Sequence, residues 1–384
     1  MEQEIKQIDR GWLEGAAKTI TFIVTKDCQL ACKYCYLVGK NENERMSIET
    51  AKAAVDYILD TRDFFNEESV IWEFIGGEPF LEIDLIDNIC DYIKTQMFVK
   101  NHHWFNSYRF NFATNGINYN SSKVQNFIKK NWTHLSIGIT IDGTKIKHDL
   151  NRVYKNSEKG SYDDVVLNIP LWLNQFPTSG TKVTISSPDI PYIKESVLHL
   201  YSLGIHEVNI NVVYEDVWKE GDDLKFEEQL LLLADEIIDN GFYKDYVCSF
   251  FSETIGKPMD INSDNRNWCG AGRMLSIDAA GNFYPCTRFA QYSLRSKSAR
   301  IIGNIKDGID KNKVRPFIVL DRIVQSKQEC IECNVASGCG WCQGENYDIS
   351  ETGTISQRSI LPFVRCIRLV LEQIIIIGIN YIGS

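Results

Sequence analysis

The chain has 384 residues, of which 44% are hydrophobic and 24% charged, enough to bury one large α/β body and a further segment, with no stretch biased toward disorder. A net charge of -10 argues against a nucleic-acid partner, because a phosphate backbone is held by clustered Lys and Arg. The polar start MEQEIKQIDRGWLEG is not a signal peptide, and LVLEQIIIIGINYIGS near the other end falls short of the ~20 residues that cross a bilayer, so a cytoplasmic chain with no membrane segment is expected.

Past an N-terminal extension of residues 1–18, apolar β-branched runs alternate with helical patterns. The runs are TITFIVT (19–25), VIWEFIG (70–76), YRFNFAT (108–114), HLSIGITI (134–141), KVTISS (182–187) and EVNINVVY (207–214). Segments such as SIETAKAAVDYILD and YIKESVLHLYSLG repeat at the helical period, the second ending at Gly204. This alternation predicts a parallel sheet. A closed eightfold barrel takes about 250 residues. Six units therefore predict a partial, open (β/α)6 TIM barrel over residues 19–244, an α/β fold. After FEEQLLLLADEIIDNG the texture becomes rich in Cys, Gly and Trp, which marks a second domain over 245–384.

Twelve cysteines without a secretion signal point to metal rather than disulfides, and ten of them cluster. Cys90, within the helical IDLIDNICDYIKTQM, reads as a small buried hydrophobe. In parallel α/β folds ligands sit at the C-terminal ends of strands. There the first strand is followed by Cys28, Cys32 and Cys35, three thiols where a closed structural metal site takes four ligands and a reactive one keeps a position open. The second strand is followed by Gly76, Gly77, Glu78 and Pro79, the third by Thr114, Asn115 and Gly116, and the fourth by DGTKIKHDLNR, which ends at Arg152. The fifth ends at Ser186 and Ser187.

CxxxCxxC, GGEP, TNG and DGxxxxHDxxR, each after successive strands, together resemble the radical S-adenosylmethionine (SAM) enzymes over roughly residues 18–240. The resemblance implies a 4Fe-4S cluster on Cys28, Cys32 and Cys35, its remaining iron taken by the amino and carboxylate groups of SAM. It further implies that Gly76, Gly77 and Glu78 hold the SAM amino group, that Asn115 and Ser186 lie near the ribose, and that Arg152 pairs with the carboxylate. Tyr34 would pack against cluster or adenine. Hydrogen abstraction then comes from the cofactor, while the protein supplies position and exclusion.

Farther on, Cys269, Gly281 and Cys286 precede CIECNVASGCGWC, with Cys330, Cys333, Cys339 and Cys342, and Cys366 follows. Alone, two CxxC pairs would read as a zinc ribbon. In this context the set resembles the SPASM extension of radical SAM enzymes that modify peptides, although Cys339 and Cys342 stand two residues apart where the common pattern has three. The resemblance implies two auxiliary 4Fe-4S clusters, hence three in all. Cys330, Cys333, Cys339 and Cys366 would fill the one far from SAM, and Cys269, Cys286 and Cys342 would hold the nearer one, completed either by Cys248 or by a substrate thiolate.

Enzymes of this kind carry out more than one reaction. Sulfatase maturases, which make formylglycine, typically carry an Asp just after the cysteine corresponding to Cys286, whereas Thr287 and Arg288 stand here. The expectation is therefore an oxidoreductase acting on a ribosomally synthesised precursor peptide (RiPP), joining a Cys sulfur to carbon in a thioether. Carbon-carbon cyclophane formation, epimerisation and formylglycine formation are the alternatives, with a non-catalytic iron-sulfur electron carrier as the non-enzyme reading. No winged-helix leader-binding module precedes the first strand, so a separate leader-binding protein or the enzyme itself would present the peptide. Its aromatic segment NHHWFNSY and apolar IIIIGINYI are candidates for that contact. Flavodoxin or ferredoxin is the expected electron donor.

Overall fold

The computed structural model describes residues 17–40, 43–215, 217–251, 258–262, 265, 269–333, 336 and 342–351. The C-terminal apolar run, Cys339 and Cys366 lie outside the described residues. Six strands appear as expected: β1 (Ala17–Thr25), β2 (Ser69–Gly76), β3 (Tyr108–Thr114), β4 (Leu135–Ile139), β5 (Thr181–Ile185) and β6 (Glu207–Val212). β1 to β4 pair in parallel in chain order, and β5 pairs in parallel with β6. Among the described residues β4 and β5 share no ladder, so the barrel is open along that seam.

Helices Ile48–Asp60, Ile83–Val99, Ser122–Asn131, Ile193–Ser202 and Asp222–Asp239 lie between successive strands, and three shorter ones fill the connection from β4 to β5. The first begins where Ser47 accepts the N–H of Thr50, an N-cap that satisfies one otherwise orphaned donor. Ile83–Val99 buries Ile86, Ile89, Cys90, Ile93 and Met97 on one stripe, so Cys90 is a core residue. The strands sort their side chains by parity. On β3, Phe110 and Phe112 are buried against the helix layer, while Arg109, Asn111 and Ala113 are half-buried and line the lumen. Beside β3 on the adjacent strand, Glu73 accepts from Asn111 Nδ2 at 3.2 Å and, from the next strand over, from Thr21 Oγ1 at 2.8 Å. A polar interior inside an apolar shell is the frame for the site.

The cysteine-rich segment is joined to this frame through backbone. β7 (Val247–Cys248) continues the β5–β6 sheet, and β8 (Leu275–Ile277) runs parallel to β1 on the side away from β2. β9 (Asn282–Tyr284), β10 (Gly303–Asn304) and β11 (Gly308–Ile309) extend that edge antiparallel. Within NHHWFNSY, Trp104 is fully buried and donates Nε1 to the Glu67 carbonyl, so its ring belongs to the core.

Candidate active site

The cysteine loop after β1 is held by chain that arrives more than a hundred residues later. Ala31 N–H donates to the Val153 carbonyl at 2.8 Å, Lys33 N–H to that of Asn151 at 3.0 Å, and Lys155 N–H to that of Gln29 at 2.9 Å. Asp27 accepts the Cys28 N–H at 2.9 Å and pairs with Lys155 at 2.7 Å. These bonds fix Cys28, Cys32 and Cys35 beside Arg152, at the C-terminal end of the barrel.

Gly76 and Gly77 let β2 pass directly under this loop. A Cβ on Gly77 would lie 2.2 Å from the Asp27 carbonyl oxygen, and one on Gly76 would lie 2.3 Å from that of Thr25. Only a residue without a side chain fits such an approach. Glu78, 1% exposed, accepts from Asn115 N–H at 2.7 Å, Thr114 Oγ1 at 2.7 Å and Phe80 N–H at 3.1 Å. Burial pushes its carboxyl up, and these three donors pull it back. The GGE and TNG motifs are thus one hydrogen-bonded unit. Asn115 spends its side-chain amide on Gln29 Oε1 at 3.0 Å.

Arg152 donates Nη1 to the Tyr34 hydroxyl at 3.0 Å, which donates in turn to Asp142 Oδ2 at 2.5 Å. Its Nε is buried with no hydrogen-bond partner among the described residues, a cationic donor left for an incoming acceptor. Burial works to raise the Asp142 carboxyl, but Lys147 and Arg152 outweigh it and hold it below the usual range. Tyr34 therefore orients Arg152 through its hydroxyl. Ser186 turns away from the cavity: its Oγ donates to Asp189 Oδ2 at 2.5 Å, and Thr184 and Asn211 line the space instead.

All three loop cysteines line one cavity of about 520 Å³, together with Glu78, Asn115, Arg152, Glu215, Arg288 and Cys342. Burial raises the Cys28 thiol to about 11, with the Lys40 ammonium pulling it back, and burial likewise raises Cys32. Such thiols ionise when a metal takes the thiolate. Among the described residues, no three His, Cys, Asp or Glu side chains close on the point of a single metal ion. Three thiols facing a common space without closing on one point suit an iron-sulfur cluster, in which each thiolate takes a separate iron. The orphaned Arg152 Nε and the glycine-lined floor suit an anionic cofactor end beside it.

From the C-terminal segment Cys342 lines the same cavity. Cys286 is raised by burial and then by the charges of Cys342 and Cys269, so these three gather together. Cys248 is raised to about 12 by burial, opposed by the N–H groups of Phe250 and Phe251, and no cysteine acts on it among the described residues. Cys330 and Cys333 are half-buried on a separate stretch. Arg288 lies 4.7 Å over the Tyr36 ring and bonds Glu345 at 2.5 Å and Glu215 at 3.4 Å; Arg295 pairs with the same Glu345. Sequence reasoning passed over Glu215, although it lies just beyond β6, at the same kind of strand end that was inspected elsewhere.

An open α/β barrel whose first strand end carries three convergent thiols is the framework of a cluster-dependent enzyme, and comparisons with known proteins agree. Residues 14–165 match a family model described as a 4Fe-4S single cluster domain. The chain is 28% identical over 306 residues to an uncharacterized protein of Methanocaldococcus jannaschii, covering 78% of this chain and 91% of that one. It is 29% identical over 164 residues to a cysteine-type anaerobic sulfatase-maturating enzyme of Clostridium novyi, covering 42% and 41%. Among solved structures it resembles anSMEcpe with bound AdoMet, at TM-score 0.71 and 19% identity over 95% of this chain and 100% of that one. It also resembles Streptococcus suis SuiB bound to its precursor peptide SuiA, at TM-score 0.58 and 13% identity over 92% and 78%. The chain therefore shares the fold of these two enzymes, and the 4Fe-4S domain model spans its first four strands. No helix among the described residues is long and apolar enough to cross a membrane.

Proposed function

We propose that this enzyme is a cytoplasmic peptide maturase that takes hydrogen from a ribosomally made precursor and joins a Cys sulfur to carbon. One observation carries the reading: Cys342 of the C-terminal thiol group and Cys28, Cys32 and Cys35 line a single cavity. A peptide in that cavity touches both centres at once. Cys28, Cys32 and Cys35 would hold the SAM-binding cluster, Cys269, Cys286 and Cys342 the nearer auxiliary one, and Cys330, Cys333, Cys339 and Cys366 the third. Three protein thiols are assigned to the nearer centre, a reading supported by Cys248 lying on β7, where no cysteine among the described residues acts on it. Its remaining position is left for a substrate thiolate, the natural ligand of such a centre.

When bound, cluster and SAM supply reductive cleavage of the sulfonium and abstraction of hydrogen from carbon. The chain's own residues do the positioning. Arg152, held by Tyr34, offers its unpartnered Nε to the SAM carboxylate; Gly76, Gly77 and Glu78 form the floor for the amino group. Asn115 and Ser186 are the ribose-side candidates, Asn115 at the cavity wall and Ser186 behind it. That anSMEcpe and SuiB have been solved with bound peptides supports a peptide occupant. A flavodoxin or ferredoxin would supply electrons and a separate protein the leader contact.

A second reading, formylglycine formation, is favoured by one observation: Glu215 brings to the cavity the carboxylate that Thr287 and Arg288 do not provide. Anaerobic reconstitution should give about twelve irons per chain for three clusters. SAM and dithionite should then yield 5'-deoxyadenosine, and Cys28→Ala should yield none. A co-expressed Cys-containing peptide should lose two hydrogens and keep its sulfur; loss of the sulfur would select formylglycine, and an iron content of one cluster would sink the three-cluster assignment.

A further inference from the structure

Lys182 stands at an inward position of β5, exposed, with Thr181 and Val183 buried on either side of it. It lines the 520 Å³ cavity above and also an adjoining cavity of about 810 Å³ in the N-terminal half of the lumen. Ala113 and Thr140 line both spaces as well, so the two meet at this level. Across the seam between β4 and β5 Gly138 faces Gly180, where a Cβ would lie 3.6 Å from the Gly180 carbonyl oxygen, and beside Lys182 in register sits Asn209.

Most other charged groups of these cavities have protein partners among the described residues. Glu78 takes three donors, Glu215 faces Arg288 and Arg295, and Arg152 is bound to Tyr34. Glu207 accepts from Asn209, and Arg109 is directed to the Leu135 carbonyl. Lys182 makes no hydrogen bond or ion pair with any described residue. In water it needs none. A peptide that fills the cavity strips that water away, and an ammonium so desolvated is costly unless the occupant brings an acceptor, best an anion. The chain's net charge of -10 repels acidic ligands at long range, so discrimination for one has to be local.

We propose that Lys182 is a specificity residue that binds a carboxylate of the peptide substrate, at the level where the reaction cavity opens into the lumen. The inference rests on the peptide reading above. It is tested with reconstituted, SAM-loaded, unreduced enzyme and fluorescent peptides of the form acetyl-Gly-Cys-Gly-Gly-amide carrying Asp at successive positions after Cys. Matched Asn peptides, and Asn peptides ending in a free carboxylate, complete the set. At least one Asp peptide should bind about tenfold more tightly than its Asn partner. Lys182→Met should erase that preference and Lys182→Glu should reverse it, while 5'-deoxyadenosine formation without peptide stays at the wild-type level in both. Equal gain from the free C-terminal carboxylate would support the site and assign it to the peptide terminus. Cys peptides that bind with no carboxylate preference, a preference that survives Lys182→Met, or weaker SAM binding in Lys182→Met would each overturn the inference. Failure of every Cys peptide to bind would overturn the peptide reading along with it.

Discussion

His148 sits behind the Arg152 pocket, where it accepts the Asp142 N–H on Nδ1 at 3.2 Å and meets Ser161 Oγ through Nε2 at 3.0 Å. Burial, and then the Arg152 charge, lower its pKa from 6.5 to about 3. The folded value lies below the unfolded one, so its contribution to stability is full above pH 6.5 and is lost as the pH falls toward about 3. Thermal unfolding of the chain should therefore weaken across that interval, and His148→Gln should show a shallower slope; equal slopes would mean the imidazole is not kept neutral by the fold. At this scale the sequence was informative about which residues lie near one another, because each motif follows a strand that ends at the same rim. It was less informative about direction. Tyr34 points to Asp142 and Arg152 through hydrogen bonds to residues that no local pattern pairs with it, whereas the turn of Ser186 toward Asp189 is a capping box, a local signal that the reading of strand ends passed over.

The strands were legible to within two residues, since alternating and continuous apolar runs are local signals. The parallel pairing of β8 with β1 was not. It joins residues about 250 positions apart through three register pairs, Ile20↔Leu275, Thr21↔Ser276 and Phe22↔Ile277, too short a strand to announce itself. The two-residue β7 was equally hidden. Contact between elements also explains why GGEP tolerates so little change. Gly77→Ala should push the cysteine loop off β2, because its Cβ meets backbone rather than a movable side chain. The expected result is about 1–3 kcal/mol lost in denaturant unfolding of the apo chain. Iron retained at the first cluster should fall as well, read by absorbance after reconstitution.

Over the whole molecule, the C-terminal helix Gln343–Ile349 is tied to the barrel by charge. Glu345, only 2% exposed, receives both Arg288 and Arg295, Asp348 receives Arg295, and Glu215 at the end of β6 faces the two arginines. Arg288→Met removes one cation from a buried carboxylate and should cost about 3 kcal/mol, seen as a lower denaturant midpoint. Because most of this cluster is shielded from solvent, raising the salt concentration should leave the wild-type midpoint nearly unmoved. Cysteine spacing marked the C-terminal segment as a candidate for metal-binding chemistry, but these ion pairs join residues 215, 288, 295, 345 and 348, a grouping only the fold assembles.

Biosynthesis runs against the order in which the first iron site is completed. The ribosome delivers Cys28, Cys32 and Cys35 early, yet the carbonyls of Asn151 and Val153 and the amide of Lys155 that brace them are translated far later. Until then the nascent thiols have no scaffold, so any iron the proposed site takes would be loaded late, after the fourth crossover has closed.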